Sequence, residues 1–281
     1  MRIEADLPYA RTGGHDLCLD LYYPESGARE GEGPERNGVV PVILYLHGGG
    51  WARGDKRDFV EARLHKVVER GIAVASANYR LLPDDLHPAQ IHDAKAAVRW
   101  LRANGAARGL ETSRIGAWGA SAGGYLATML GLTAGDSDLE GDLGPHCGVS
   151  SAVQAVVTWF APFDLVGTSR RSWLERQAAS RVYAPALFGR EEIERGDAII
   201  DAADPCRRVH AAAPPFLIAH GDSDRIVPMS ESLQMHNALA RENVDATLCL
   251  IAAAGHEDDR FHSRSNLAMT AAWIKAMLSR S

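Results

Sequence analysis

Short apolar runs alternate with longer segments of helical periodicity along almost the whole chain, the arrangement expected of a mostly parallel sheet covered by helices on both faces. Val42-Ile43-Leu44-Tyr45-Leu46 is representative, an unbroken apolar run of the kind found in strands buried on both sides. Such runs predict core strands near 42–47, 72–77, 114–118, 153–159, 215–220 and 246–251, with helices near 56–70, 89–104, 122–132, 230–241 and 265–279. Leu17 to Tyr23 alternates instead, as an antiparallel strand at the start of the sheet would. Gly, Glu and Pro make residues 24–38 an expected exposed hairpin loop. One stretch departs in composition, from 164 to 209, with many Arg and Glu around Trp173, Tyr183 and Phe188. It falls between the strand ending near Phe160 and the one starting at Pro215, and is expected to be a small helical lid inserted in a single α/β domain of 281 residues.

Chemistry enters at the strand ends. Ser121 lies in Gly119-Ala120-Ser121-Ala122-Gly123-Gly124, between the run Arg114-Ile115-Gly116-Ala117-Trp118 and a helix opening at Tyr125-Leu126-Ala127. A strand, a sharp turn and a helix around Gly-x-Ser-x-Gly form a nucleophile elbow, where small neighbours allow a strained turn to pack tightly and push the hydroxyl above the sheet. Upstream, His47-Gly48-Gly49-Gly50-Trp51 follows directly on the strand 42–46. Backbone N–H groups of such a loop are unobstructed, so Gly49 and Gly50, with Ala122 at the helix start, are expected to form an oxyanion hole.

A serine hydroxyl needs a base, and the base needs an orienting carboxylate. The strand Pro215 to Ala219 leads into His220-Gly221-Asp222-Ser223-Asp224-Arg225-Ile226-Val227-Pro228, a loop with two acids, and the strand Thr247 to Ile251 leads to Gly255-His256. The chain order Ser, acid, His is that of a hydrolase triad. Ser121 and His256 are the expected nucleophile and base, with Asp224 or Asp222 as the acid. His262 follows the charged run Glu257-Asp258-Asp259-Arg260 and is read as helix-proximal surface; His47 is read as a loop brace, and His87, His92 and His210 as structural.

These elements together resemble the α/β-hydrolase family, in particular carboxylesterases with an HGGGW oxyanion motif, including the small esterases grouped with deacetylase and feruloyl-esterase enzymes. The likeness covers nearly the whole chain: HGGGW at 47 to 51, Asn78-Tyr79-Arg80, the segment Asp93 to Leu101, GxSAGG at the elbow and HGDxDxxVP around the acid. It implies Asp224 as the triad acid and a serine esterase acting on short-chain or small-alcohol carboxyl esters through an acyl-enzyme, with no metal or organic cofactor. Arylformamidases share the His-Gly-Gly-x-Trp arrangement, so amide cleavage in an N-formyl aromatic substrate is an alternative, as are acetyl or feruloyl groups on saccharides. A non-catalytic binding scaffold is the alternative of a different class. Trp51, Trp173 and Phe188 are expected to line the substrate pocket, with Tyr183 and Leu187 near the last two.

Bulk properties agree with an enzyme on small molecules. A formal net charge of −6 leaves no basic footprint for nucleic acid. Cys18, Cys147, Cys206 and Cys249 form neither a CxxC pair nor a His-rich cluster, which argues against a zinc site. The N-terminus carries acids where a secretory signal needs an apolar run, and no stretch reaches eighteen apolar residues. A cytoplasmic location without stable membrane association is therefore the expectation. Oligomeric state is not legible.

Overall fold

The computed structural model describes residues 1–25, 39–169 and 183–280. Among them, eight strands form one sheet in the order β1-β2-β4-β3-β5-β6-β7-β8. These are β1 (Arg2–Thr12), β2 (His15–Tyr23), β3 (Val40–Leu46), β4 (Ala73–Ala77), β5 (Leu110–Ala120), β6 (Ala155–Trp159), β7 (Phe216–Gly221) and β8 (Ala246–Ile251). Pairing is antiparallel from β1 through β2 to β4 and parallel from there on. This mostly parallel sheet with helices on both faces is an α/β-hydrolase fold.

Four longer helices cover it: α1 (Ala89–Asn104), α2 (Ala122–Leu132), α3 (Met229–Arg241) and α4 (Arg264–Leu278). Alternate strand residues point to opposite faces. Leu44, Leu46 and Ile218 pack with Leu126 and Leu130 of α2, whereas Ile43, Tyr45, Trp118 and Trp159 pack with Ile274 of α4. Every residue of α2 is buried, which is why a segment with three glycines is helical here: packing on all sides outweighs the roughly 1 kcal/mol propensity cost of each glycine.

Order in the sheet decides where a site forms. The chain runs outward from β3 to β4, then crosses back over β3 to β5 and continues in the other direction. The connections that follow β3 and β5 therefore run to opposite sides of the sheet, the kind of switch point at which open α/β sheets bind ligands. His47-Gly48-Gly49-Gly50 leaves β3 there, and Ser121 leaves β5.

Two elements differ from the periodicity. β1 was not expected: it is an edge strand, mostly exposed, with register shifts between Glu4 and Leu7 and between Pro8 and Ala10, so no apolar alternation marks it. The helix expected over 56–70 is reduced to a π-helical turn, Val60–Leu64, running into His65–Val68. Its first turn is diverted because Lys56 and Arg57 reach back to Asp6 and Asp20, Lys56 N–H donates to Asn78 Oδ1 at 2.6 Å, and Phe59 takes a left-handed φ of 56°. The expected loop 24–38 lies mostly outside the described residues, as does Trp173.

Candidate active site

Ser121 sits at the tip of β5 with φ 52° and ψ −121°. A non-glycine residue in this region costs on the order of 1–3 kcal/mol and persists only where its surroundings enforce it. They do so here. A Cβ on Gly119 would lie 2.1 Å from the Gly123 carbonyl oxygen, and one on Gly123 would lie 2.0 Å from that of Leu46. The turn is thus packed backbone to backbone, while Ser121 N–H donates to Trp159 O at 2.9 Å and Ser121 O accepts from Tyr125 N–H at 3.1 Å.

His256 arrives on the loop after β8, and its Nε2 stands 2.9 Å from Ser121 Oγ. Its Nδ1 stands 2.7 Å from Asp224 Oδ2, on the loop after β7. A carboxylate only accepts, so Nδ1 carries the proton and Nε2 offers its lone pair to the serine hydroxyl. Asp224 is itself held: Oδ1 accepts the N–H groups of Ile226 (2.8 Å) and Val227 (2.9 Å), and Oδ2 lies 3.3 Å from Nε2 of the buried His220. Burial alone would raise this carboxyl, but the bonds from His220 and His256 outweigh it and hold the group well below the usual carboxylate range. Asp222 is placed elsewhere, exposed, with Oδ1 accepting Ala253 N–H at 2.7 Å. Phe160 packs edge-on against the His256 ring, 4.8 Å between centroids.

The glycine loop faces this array. Gly49 has φ 114° and would place a Cβ 2.0 Å from Arg53 O, so only glycine fits. Gly50 is also left-handed, and Ala52 N–H closes the turn on Gly49 O at 3.2 Å. Tyr79 steadies the loop, its hydroxyl donating to His47 O at 2.9 Å and its ring stacking on His47 at 4.3 Å. Ala122 opens α2, where N–H groups have no intrahelical acceptor and the helix dipole favours negative charge.

The three residues expected to line the pocket are placed differently from one another. Trp51 is 3% exposed and lies edge-on to Tyr125 at 5.4 Å, so its ring packs the glycine loop onto α2. Phe188 is half-buried beside His87, with ring centroids 5.2 Å apart. Trp173 falls outside the described residues. His262 corrects a surface expectation: it is largely buried, with Nε2 2.9 Å from Arg63 and its ring near Phe59 and Trp159.

Sequence reasoning passed over three neighbours. His220 had a signal, since it opens the HGDxD string, but its contact with Asp224 depends on the loop folding back. Glu257, directly after His256, was read as one of a charged run; it pairs with Arg63. Arg63 is fully buried and 194 positions away, a separation no local pattern bridges. Among the described residues no group of three or more His, Cys, Asp and Glu side chains is arranged to hold a metal ion.

The strand-end serine, imidazole and carboxylate on this sheet define the molecule as an α/β-hydrolase. The BD-FAE family model matches residues 19–239, and the chain belongs to that family. It is similar to two Mycobacterium tuberculosis proteins, esterase LipQ (31% identical over 84% of this chain and 52% of the relative) and esterase LipC (31% over 69% and 46%). The chain thus spans about half the length of the curated relatives it matches. A truncated carbohydrate esterase from gut microbiota superposes with a TM-score of 0.84, 26% identical, over 100% of this chain and 97% of that one.

Proposed function

We propose that the protein is a serine carboxylesterase that hydrolyses short-chain or small-alcohol esters through an acyl-enzyme. The observation that carries this reading is the unbroken chain from Asp224 through His256 to Ser121, at 2.7 and 2.9 Å. His256 Nε2 takes the serine proton as Oγ attacks the ester carbonyl, and the buried carboxylate of Asp224 stabilises the imidazolium that results. The amides of Gly49, Gly50 and Ala122 hold the oxyanion, each such donor being worth about a hundredfold in rate. His256 then passes the proton to the leaving alcohol oxygen. Water, deprotonated by the same nitrogen, releases the acid and restores Ser121.

Residues 164–209 act as a lid in this reading. Its described parts are tied to the body, with His87 N–H donating to Leu187 O at 2.8 Å and the Tyr125 hydroxyl to Ala203 O at 2.9 Å. Phe188 is proposed to shape the acyl or alcohol pocket from that side. The thiols of Cys18, Cys147, Cys206 and Cys249 are free, which fits a reducing compartment such as the cytoplasm. No helix among the described residues is long and apolar enough to cross a membrane.

A second reading, acetyl or related esters of saccharides, is favoured by the likeness to the gut carbohydrate esterase over the full length of this chain. The test compares kcat/KM for p-nitrophenyl acetate through decanoate, an acetylated sugar, a feruloyl ester and N-formylkynurenine, in wild type and Ser121→Ala. Turnover of short or sugar esters that is lost in the variant supports the proposal. Preference for the formamide by tenfold or more, about 1.4 kcal/mol, would replace it with amide hydrolysis. Absence of Ser121-dependent turnover on every substrate would leave the binding scaffold.

A further inference from the structure

The hydrolytic steps make no use of Glu257, yet the fold commits much to it. Glu257 takes a left-handed φ of 56° immediately after the histidine base. Its Oε1 accepts from the guanidinium of Arg63. That guanidinium is fully buried and held by several partners: Nη1 donates to the Tyr45 hydroxyl at 2.6 Å, Nη2 also meets His262 Nε2 at 2.9 Å, and the rings of Phe59 and Trp159 lie 4.6 and 5.0 Å from its central carbon. A buried cation left without a carboxylate would be costly, so Arg63 holds Glu257 in one place.

The other carboxylate oxygen and Ser121 both border Gly48. A Cβ built on Gly48 would touch Glu257 Oε2 at 3.6 Å and Ser121 Cβ at 3.4 Å. The acceptor and the serine therefore flank the same missing side chain, and Gly48 keeps the gap between them clear. The Glu257 side chain remains 28% exposed, so a ligand can reach it. A carboxylate accepts hydrogen bonds and donates none, so a group seated against Oε2 must bring an N–H or O–H. An alkyl group there would strip water from the carboxylate and return nothing.

We propose that Glu257 is a specificity-determining residue that accepts a hydrogen bond from a hydroxyl of the alcohol half of the substrate, making esters of polyhydroxy alcohols, sugars among them, better substrates than esters of alkyl alcohols. The inference rests on the serine-esterase reading. Because Arg63 fixes the acceptor in advance, little ordering entropy is lost when the hydroxyl arrives. A site built around a substrate hydroxyl discriminates against the analogue lacking it, because water is then displaced from the carboxylate with no hydrogen bond to replace it.

The experiment uses a matched pair, 2-hydroxyethyl acetate and propyl acetate, which differ by hydroxyl against methyl, together with a monoacetylated methyl xyloside. Wild type, Glu257→Gln and Glu257→Leu are compared by kcat and KM separately, with Ser121→Ala as the blank. Wild type should favour the hydroxyl-bearing ester by about tenfold. Glu257→Leu should bring that ratio close to one, and Glu257→Gln, whose amide oxygen still accepts, should keep part of it. A wild-type ratio near one overturns the proposal without reference to any variant. Equal losses on both esters in Glu257→Leu also overturn it and make Glu257 a brace for the His256 loop. Wild type no faster than Ser121→Ala on any ester would instead remove the esterase reading itself.

Discussion

Asp224→Asn exchanges one oxygen for an NH2 group and should disable the site while leaving it folded. The oxygen of the introduced amide is claimed by two backbone donors, the N–H groups of Ile226 and Val227, which stand 2.8 and 2.9 Å from Oδ1 in the native loop. The new NH2 group must therefore occupy the Oδ2 position, 2.7 Å from His256 Nδ1, where it donates. Nδ1 becomes the acceptor, the ring proton moves to Nε2, and Nε2–H then faces Ser121 Oγ as a donor. The imidazole can no longer take the serine proton, and the charge that stabilised its cation is gone. In a protease triad the same exchange costs about 10⁴-fold in kcat, so we expect a loss of three to four powers of ten here, about 4–5.5 kcal/mol of transition-state stabilisation. The assay is kcat/KM on p-nitrophenyl acetate with thermal unfolding alongside. Asp222→Asn is the control and should lose less than threefold, since Asp222 serves the loop through Ala253. A loss below tenfold in Asp224→Asn, or equal losses in the two variants, would refute this reasoning.

Other expectations follow from the same geometry. Burial holds the His87 imidazole down to about 4, assisted by the charges of His92 and Arg208, against an ordinary 6.5. The unfolded chain therefore binds the proton first, and stability intact above pH 6.5 is lost as pH falls from 6.5 toward 4, by about 2–3 kcal/mol. Urea melts across that range should show the loss, and His87→Gln should flatten it. Burial, with Asp204, Asp164 and Glu231 nearby, pushes the Cys206 thiol up to about 12, whereas Cys147 is exposed. Iodoacetamide at pH 8 followed by peptide mapping should modify Cys147 first and Cys206 last. Gly123→Ala drives a methyl into the Leu46 and His47 carbonyls at 2.0 and 2.4 Å, and should cost at least about 3 kcal/mol in denaturant melts or prevent folding.

What the sequence made legible divides by physics. β3 to β7 were readable because buried parallel strands are continuous apolar runs, β8 because its apolar residues cluster even at the partly exposed sheet edge, and α2 because the elbow serine marks its start. The glycines of the elbow were readable because a Cβ there would come within about 2 Å of a backbone carbonyl oxygen. β1 was not, since an exposed edge strand has no apolar face to display. The choice between Asp222 and Asp224 was open to local pattern because both lie on one loop, two positions apart, and only its folding decides which meets His256. Trp51 was not decided by local pattern because an aromatic after a glycine turn can face ligand or core, and its ring lies against Tyr125. Arg63 and Glu257 meet only through the tertiary fold, which converts a segment that reads as an amphipathic helix into a π-helical turn beneath the site.

The most direct test of the central claim is to treat the protein with diethyl p-nitrophenyl phosphate and map the modified residue by peptide mass spectrometry. The triad predicts one phosphorylated residue, Ser121, formed in step with loss of ester hydrolysis and slowed at least a hundredfold in His256→Ala. Hydrolysis that persists with Ser121 fully modified, or a label that settles on another residue as activity disappears, would contradict it.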